Sequence, residues 1–429
     1  LKQDEDCLDT WFSSWLWPFE VFGGYSQPGN AEVNYYYPTN TLVTAPEIIF
    51  FWVARMIMAG YEYQGKAPFR EVYFTGIVRD KQGRKMSKSL GNSPDLLALI
   101  DQYGADAVRF GIMISSPAGN DLLWDESSNE QGLHFNNKLW NALRLIKGWE
   151  ARVSTEETTT IPALAIDWME SRLAEVRAEL DIQFSEFRLS EALKTLYSLI
   201  WDDFCSWYLE WVKPGFEQPV HKVTYEKTIA LYENLMQLLH PFMPFITEEI
   251  YHQLRNQNKD LTISQFPEIG KKDPALLSAG ELLKKTITAI RDARNKHQLK
   301  PKDPIKLHIE SADPAAFTAI EVLLAKQVNA SDIHIAQQIG AIPNSITVVV
   351  GKEKIFIETT VALDAGAQKE KLLKDLEHLK GFLASVDKKL SNEKFVHNAK
   401  PEVLELERKK KADAETKIRI VEESLSSLQ

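Results

Sequence analysis

The chain has 429 residues, 44% of them hydrophobic and 26% charged, and a net charge of −10. That length provides for two to four domains, and 11 Trp with 20 Phe exclude a disordered chain. The acidic balance excludes a global electrostatic pull toward nucleic acid, so any RNA contact has to be local.

Taken in order, the first residues, Leu1 to Asp6, are acidic and are not a signal peptide. They lack an initiator Met, which leads to the expectation of a fragment of a longer chain. Three tryptophans, Trp11, Trp15 and Trp17, make an apolar wall within residues 7–19. Val21 to Asn40, rich in Gly, Pro, Asn and Tyr, reads as a loop. Thr41 to Thr44 reads as a β-branched strand. A helix is predicted from Glu47 to Tyr61, apolar nearly all round and therefore buried. Glu71 to Gly76 reads as a second, parallel strand, and Ile77 to Gly83 as a turn.

The polar loop Arg84-Lys85-Met86-Ser87-Lys88-Ser89-Leu90-Gly91-Asn92 follows. Lysines are compact, mobile positive charges suited to a phosphate chain. Serine hydroxyls and loop amides bond oxyanions, and Gly91 lets the backbone turn. Ser93 is expected to cap the next helix, whose N-terminus adds positive potential. Gly104 is a predicted helix stop. In the helix from Ala105 to Ser115, Asp106 and Arg109 read as structural. Strand, helix, strand, loop, helix is the second half of a doubly wound sheet, which binds ligands at strand C-terminal ends.

Residues 127–265 are helical in pattern and predict a bundle. Its His240 and His252 read as packed or surface residues rather than metal ligands. Residues 266–367 hold a polar linker, a basic helix from Glu281 to Leu299, and a small α/β domain: a strand at Ile305 to Ile309, a helix at Ala315 to Val328, a strand at Ile333 to Ile335 and a hairpin at Ile346 to Thr360. In residues 368–429, Leu372, Leu376, Leu379, Leu383, Val386 and Leu390 form one apolar seam. Ala414, Ile418, Val421, Leu425 and Leu428 form another, so an antiparallel coiled-coil hairpin is expected. This segment holds 14 Lys and Arg against 12 Asp and Glu, so it is positive while the remainder is negative. Its lysines Lys388, Lys389, Lys394 and Lys400, with Arg408, Lys409, Lys410 and Lys411, cluster toward the turn, as an RNA-contacting arm requires. Cys7 and Cys205 form no metal-ligand spacing or disulfide framework, and no uncharged apolar run is long enough to span a bilayer.

The string Lys85-Met86-Ser87-Lys88-Ser89, with Gly76-Ile77-Val78-Arg79-Asp80 before it and Gly91-Asn92 after, resembles the nucleotide-binding loop of class I aminoacyl-tRNA synthetases. Leu8-Asp9-Thr10-Trp11-Phe12-Ser13-Ser14 and the C-terminal seams resemble the bacterial valyl-tRNA synthetases of that class, specifically their C-terminal half, over essentially the whole chain. The resemblance implies a division into residues 1–126, the second half of the catalytic domain; 127–265, an anticodon-binding bundle; 266–367, the linker helix and small domain; and 368–429, a tRNA-binding arm.

It further implies that Lys85 and Lys88 stabilise charge on departing pyrophosphate. Gly76, Val78, Asp80 and Met86, with Ser87 and Ser89 of the loop, would contact ATP, which brings Mg2+. Trp11, Ile48 and Trp52 would shape the valine pocket. Glu47 stands where the family has an acid facing the substrate ammonium, but Ala45-Pro46 precedes it in place of the usual glycine and aromatic. Glu47 therefore either meets the ammonium or simply starts its helix.

The implied activity is ATP-dependent activation of valine to valyl-adenylate and transfer to tRNA(Val), by a cytoplasmic protein expected to be a monomer without a structural metal. The family's His-Ile-Gly-His-type motif is absent from the sequence, as is its editing domain, so this chain alone is expected to be inactive. The alternatives are a sister synthetase for isoleucine or leucine, or a non-catalytic tRNA-binding scaffold.

Overall fold

A computed structural model describes residues 2–116, 119–156, 162–256, 258–340, 342–359, 365–392 and 401–427. Lys394, Lys400 and Leu428 lie outside the described residues, as do the side chains of Lys88 and Leu372. The chain divides into two units: Leu1–Thr159 with Leu173–Ser206 and Gly215–Gly270, and Thr160–Arg172 with Trp207–Pro214 and Lys271–Gln429.

In the first unit, β1 (Thr39–Thr44) and β2 (Phe69–Phe74) pair in parallel, with Thr41 opposite Glu71 and Thr44 opposite Phe74. Their crossover is not one helix. It starts as a 3-10 turn at Pro46–Ile48, widens to a π turn at Ile49–Val53, and becomes α-helical over Ala54–Gln64. Consecutive bulky residues, Ile49-Phe50-Phe51-Trp52-Val53, crowd the preceding turn, and a wider turn relieves that crowding. The expectation that this segment is buried fails. Val53, Ala59 and Gly60 are buried, but Phe50 is 76% exposed and Ile49, Phe51, Met58 and Tyr61 also face solvent. The region predicted as loop contains a short helix, Ala31–Tyr36, because the Asn30 side chain accepts from the Val33 amide.

Two further short strands, β3 (Val78–Arg79) and β4 (Leu122–Leu123), pair in parallel. Two-residue strands carry no readable periodicity, so neither is predicted. The helix after the polar loop is Leu96–Tyr103, and its cap is Asp95 rather than Ser93. Asp95 is the extended residue, and its carboxylate accepts from the Leu97 and Ala98 amides. Gly104, at φ 86°, stops that helix as expected. Asp106 and Arg109 of the following helix, Ala105–Ile114, are structural. Asp106 accepts from the Phe245 and Ile246 amides, and Arg109 donates to the carbonyls of Phe242 and Pro241. Burial raises the Asp106 carboxyl above its ordinary value, against the pull of those amides.

The rest of this unit is mainly helical, with helices at Ser127–Lys147, Leu189–Ser198, Lys222–Leu239 and Pro244–Leu254, most of a π-helical stretch at Leu199–Tyr208, and a minimal parallel pair, β5 (Val153–Ser154) with β6 (Val220–His221). Its core holds Phe135, Leu139, Ile146, Leu196, Phe204, Tyr232 and Leu239, all fully buried. The Tyr232 hydroxyl donates to the Leu139 carbonyl at 2.7 Å, which satisfies the one polar atom that the ring takes inside.

The second unit contains the helix Pro274–Lys296, started by Asp273, so the linker before it is shorter than predicted. Gly280 in this helix lies against Trp168, where an added Cβ would come within 2.1 Å of the ring, so glycine is required by the close approach. A four-stranded sheet has the order β8-β7-β10-β9: β7 (Ile305–Glu310), β8 (Ala330–Ala336), β9 (Ser345–Val350) and β10 (Glu353–Glu358). β7 and β8 are parallel, with helix Pro314–Val328 between them in the chain, and β9 and β10 form the expected hairpin.

Two long helices end the unit, Ala365–Leu390 and Pro401–Ser427. Ion pairs link Lys380 to Glu422, Asp387 to Lys411 and Lys389 to Glu407. Partners rise on one helix as they fall on the other, so the helices run antiparallel. Val386, Ala414 and Ile418 are buried. Among the described residues no helix is long and apolar enough to cross a membrane.

Candidate functional site

Residues 76–92 lie beside the β3–β4 pair. Gly76 has no room for a side chain: a Cβ there would sit 1.9 Å from the Asn120 carbonyl oxygen. Next to it the Ile77 amide donates to Asp121 at 3.0 Å, and the Arg79 guanidinium pairs with the other Asp121 oxygen. The Ile77 amide and Arg79 hold the Asp121 carboxyl below its ordinary value, with a smaller contribution from Lys85.

The polar loop is organised from inside by Asp80, which is 7% exposed. Its carboxylate accepts from the Gln82 and Arg84 amides at 3.0 and 2.9 Å, from Arg84 Nε at 2.8 Å and from Asn92 Nδ2 at 2.9 Å. The Asn92 amide, followed by the Arg84 donors, holds this carboxyl down at about 2. Asn92 also accepts from the Ser87 amide at 2.9 Å. A buried carboxylate and an amide side chain twelve residues apart thus close the loop on itself. Gly91, at φ 61°, makes the left-handed turn that brings Asn92 back. Met86 donates its amide to the Val78 carbonyl at 3.4 Å, and Ser87 Oγ lies 3.1 Å from Ser89 Oγ. Lys88 opens a 3-10 turn, Lys88–Leu90.

Lys85 is exposed, and its ammonium donates to Glu47 at 2.9 Å. Two residues that the sequence assigned to different substrates therefore touch. Of the predicted pocket residues, Trp11 and Trp52 meet edge to face with centroids 6.5 Å apart, and Ile48 is half-buried at the end of its 3-10 turn. Sequence reasoning missed Arg55, whose guanidinium lies 3.7 Å over the Trp11 ring and covers one of its faces. It also left Asn92, Arg84 and Asp121 without roles. Asn92 was visible as part of the motif's neighbourhood, but nothing in a linear string marks Asp121, some 40 residues on.

Lys85, two hydroxyls and loop amides on a frame held by the ionised Asp80 are groups able to bond an oxyanion. The basic residues near the end of the chain are arranged differently. Lys389 and Lys410 pair with the buried Glu407, and Lys411 with Asp387, whereas Lys388, Arg408 and Lys409 are exposed with no ion-pair partner among the described residues.

Three family models match successive stretches: tRNA synthetases class I (I, L, M and V) over residues 1–125, the anticodon-binding domain of tRNA ligase over 167–309, and the valyl tRNA synthetase tRNA binding arm over 364–429. A valine–tRNA ligase of Parabacteroides distasonis is 51% identical across all of this chain and 49% of its own length. Over its whole length the chain is thus similar to valine–tRNA ligases of the class I synthetases.

The Phocaeicola vulgatus relative, also a valine–tRNA ligase, is 50% identical over the whole chain and 48% of its own length. The chain thus spans about half the length of the curated relatives it matches. A solved LeuRS–tRNA–LeuAMS ternary complex from Agrobacterium radiobacter K84 aligns with 71% of this chain and 35% of its own, at a TM-score of 0.49 and 18% identity.

Proposed function

We propose that this chain is the nucleotide-loop and tRNA-binding portion of a valine–tRNA ligase, which uses ATP and Mg2+ to form valyl-adenylate and transfers the valyl group to tRNA(Val). The observation that carries this is the Lys85–Ser89 loop closed by Asp80 and Asn92, in a chain half-identical to valine–tRNA ligases from end to end. Lys85 and Lys88 neutralise charge that accumulates on the pyrophosphate leaving group, while Gly76, Val78, Asp80, Met86, Ser87 and Ser89 hold the nucleotide against the β3–β4 edge. Catalysis by such a loop is positioning and charge neutralisation, because the reacting groups come from the substrates. Trp11, Ile48 and Trp52 form the apolar side of the valine pocket, and Glu47 acts first on Lys85.

Residues 127–265 serve as the anticodon-binding bundle. The C-terminal helices form an antiparallel coiled coil whose two seams satisfy each other within one chain, so the protein is a monomer and the arm is free for tRNA. Deleting residues 365–429 from the full-length protein tests the division of labour. Valine-dependent ATP–pyrophosphate exchange stays within about twofold, while tRNA affinity falls and loses part of its salt dependence. Unchanged tRNA affinity, or conversion of a dimer to a monomer on deletion, overturns it.

A further inference from the structure

We propose that Glu248, His252 and Asp260 form a binding site for a first-row divalent metal ion, with Zn2+ the preferred occupant. Glu248 and His252 are four residues apart on helix Pro244–Leu254 and so share a face. After the helix the chain turns back, and both oxygens of Glu248 accept backbone amides from the returning segment: Leu261 at 2.6 Å and Thr262 at 3.1 Å. Those bonds bring the preceding residue, Asp260, beside His252. His252 Nε2 then lies 3.1 Å from Glu248 Oε1 and 3.2 Å from Asp260 Oδ1, and the ligand atoms of all three residues fall within 4.8 Å of one another.

A single ring nitrogen carries at most one proton, so it serves one of these carboxylates well and the other poorly. A cation at their centre satisfies all three. With bonds of about 2.1 Å, a metal separates neighbouring donors by about 3.0 Å at right angles and about 3.4 Å at the tetrahedral angle. The observed 3.1 and 3.2 Å fall between these values. One imidazole nitrogen with two carboxylate oxygens suits Zn2+, with water completing the coordination. The two amides on Glu248 fix its carboxylate plane, as outer partners of metal-bound carboxylates do. His252 and Asp260 have side chains 37% and 67% exposed, which leaves the ion a path in. Bound there, it would fasten residues 260–264 to the helix end.

The test uses the purified, metal-stripped 429-residue chain, titrated with Zn2+ by calorimetry and with Co2+ by visible absorption. Wild type is expected to bind one Zn2+ more per chain than His252→Ala or Asp260→Asn. It should gain a Co2+ ligand-field band that both variants lack, and Zn2+ at a hundred times its Kd should raise its Tm by about 2 °C or more. Circular dichroism checks that the variants fold; should His252→Ala fail, Asp260→Asn and Asp260→Ala, altered at an exposed side chain, carry the comparison. Equal Zn2+ binding by wild type and the folded variants, or no binding at micromolar Zn2+, overturns the proposal and leaves a hydrogen-bonded His–carboxylate cluster.

Discussion

Lys85 donates to Glu47 at 2.9 Å across a sequence separation of 38 residues. The contact joins the loop expected to meet phosphate to the turn expected to meet the amino acid, and both side chains are about half exposed. An exposed pair of this kind contributes only ~0.2–1 kcal/mol, so an anionic ligand can displace Glu47 from the ammonium at little cost.

Glu47→Gln in the full-length protein should therefore lower the KM for ATP by about two- to fivefold, the factor equivalent to an exposed pair. The KM for valine should change less than twofold. Steady-state pyrophosphate exchange with each substrate varied separately checks this. A tenfold rise in the valine KM with no change for ATP would assign Glu47 to the substrate ammonium instead.

Asp80 gives the loop a pH signature. Its folded carboxyl, held at about 2, lies below its ordinary value of 3.8. A depressed carboxyl contributes its stabilisation fully above the ordinary value and loses it as pH falls through the folded value. Amide exchange at Arg84 and Ser87, followed by NMR and taken relative to the intrinsic rate at each pH, should thus stay slow at pH 5 and quicken between about pH 4 and 2. Asp80→Asn should quicken it at pH 7, by tenfold or more. Unchanged protection in that variant would show that Asp80 does not organise the loop.

The arm separates its basic residues into two sets. Lys388, Arg408 and Lys409 are exposed and unpaired among the described residues, whereas Lys389 and Lys411 are neutralised by Glu407 and Asp387. Replacing the first three with alanine in the full-length protein should weaken tRNA binding and flatten the slope of log affinity against log salt by about 2 to 3, since each phosphate contact accounts for ~0.7–0.9 of that slope. Replacing Lys389 and Lys411 should lower the Tm and leave the slope nearly unchanged. Equal slope changes in the two variants would mean that the ion pairs open to grip RNA.

Legibility in the sequence follows the range of the interactions. The parallel strands at residues 41–44 and 71–74, the stop at Gly104, the α/β order of residues 305–358 and the structural roles of Asp106 and Arg109 are written in local periodicity and punctuation, and the structure agrees. The polar loop was visible because its chemistry sits in nine consecutive residues. What holds it was not: Asp80 to Asn92, Arg79 to Asp121 and Lys85 to Glu47 are long-range polar contacts between residue types common on any surface. Arg55 over Trp11 escaped for the same reason. The predicted burial of residues 47–61 failed because an all-round apolar helix says that a face needs covering and not which residues cover it. In the arm, charge clustering located the basic patch but could not tell lysines turned to solvent from those paired across the helices.

We propose that this loop and the Trp11–Trp52 cluster serve valine activation. The most direct measurement is ATP–pyrophosphate exchange by the full-length protein against a panel of valine, isoleucine and leucine, with Lys88→Ala and Trp11→Ala alongside wild type. Valine should support exchange well over tenfold better than either relative. Lys88→Ala should lower kcat by ~100-fold with little change in the valine KM, as expected for a charge used only in the transition state, and Trp11→Ala should raise the valine KM first. Exchange driven best by isoleucine or leucine, or a Lys88→Ala variant altered only in its valine KM, would contradict the account.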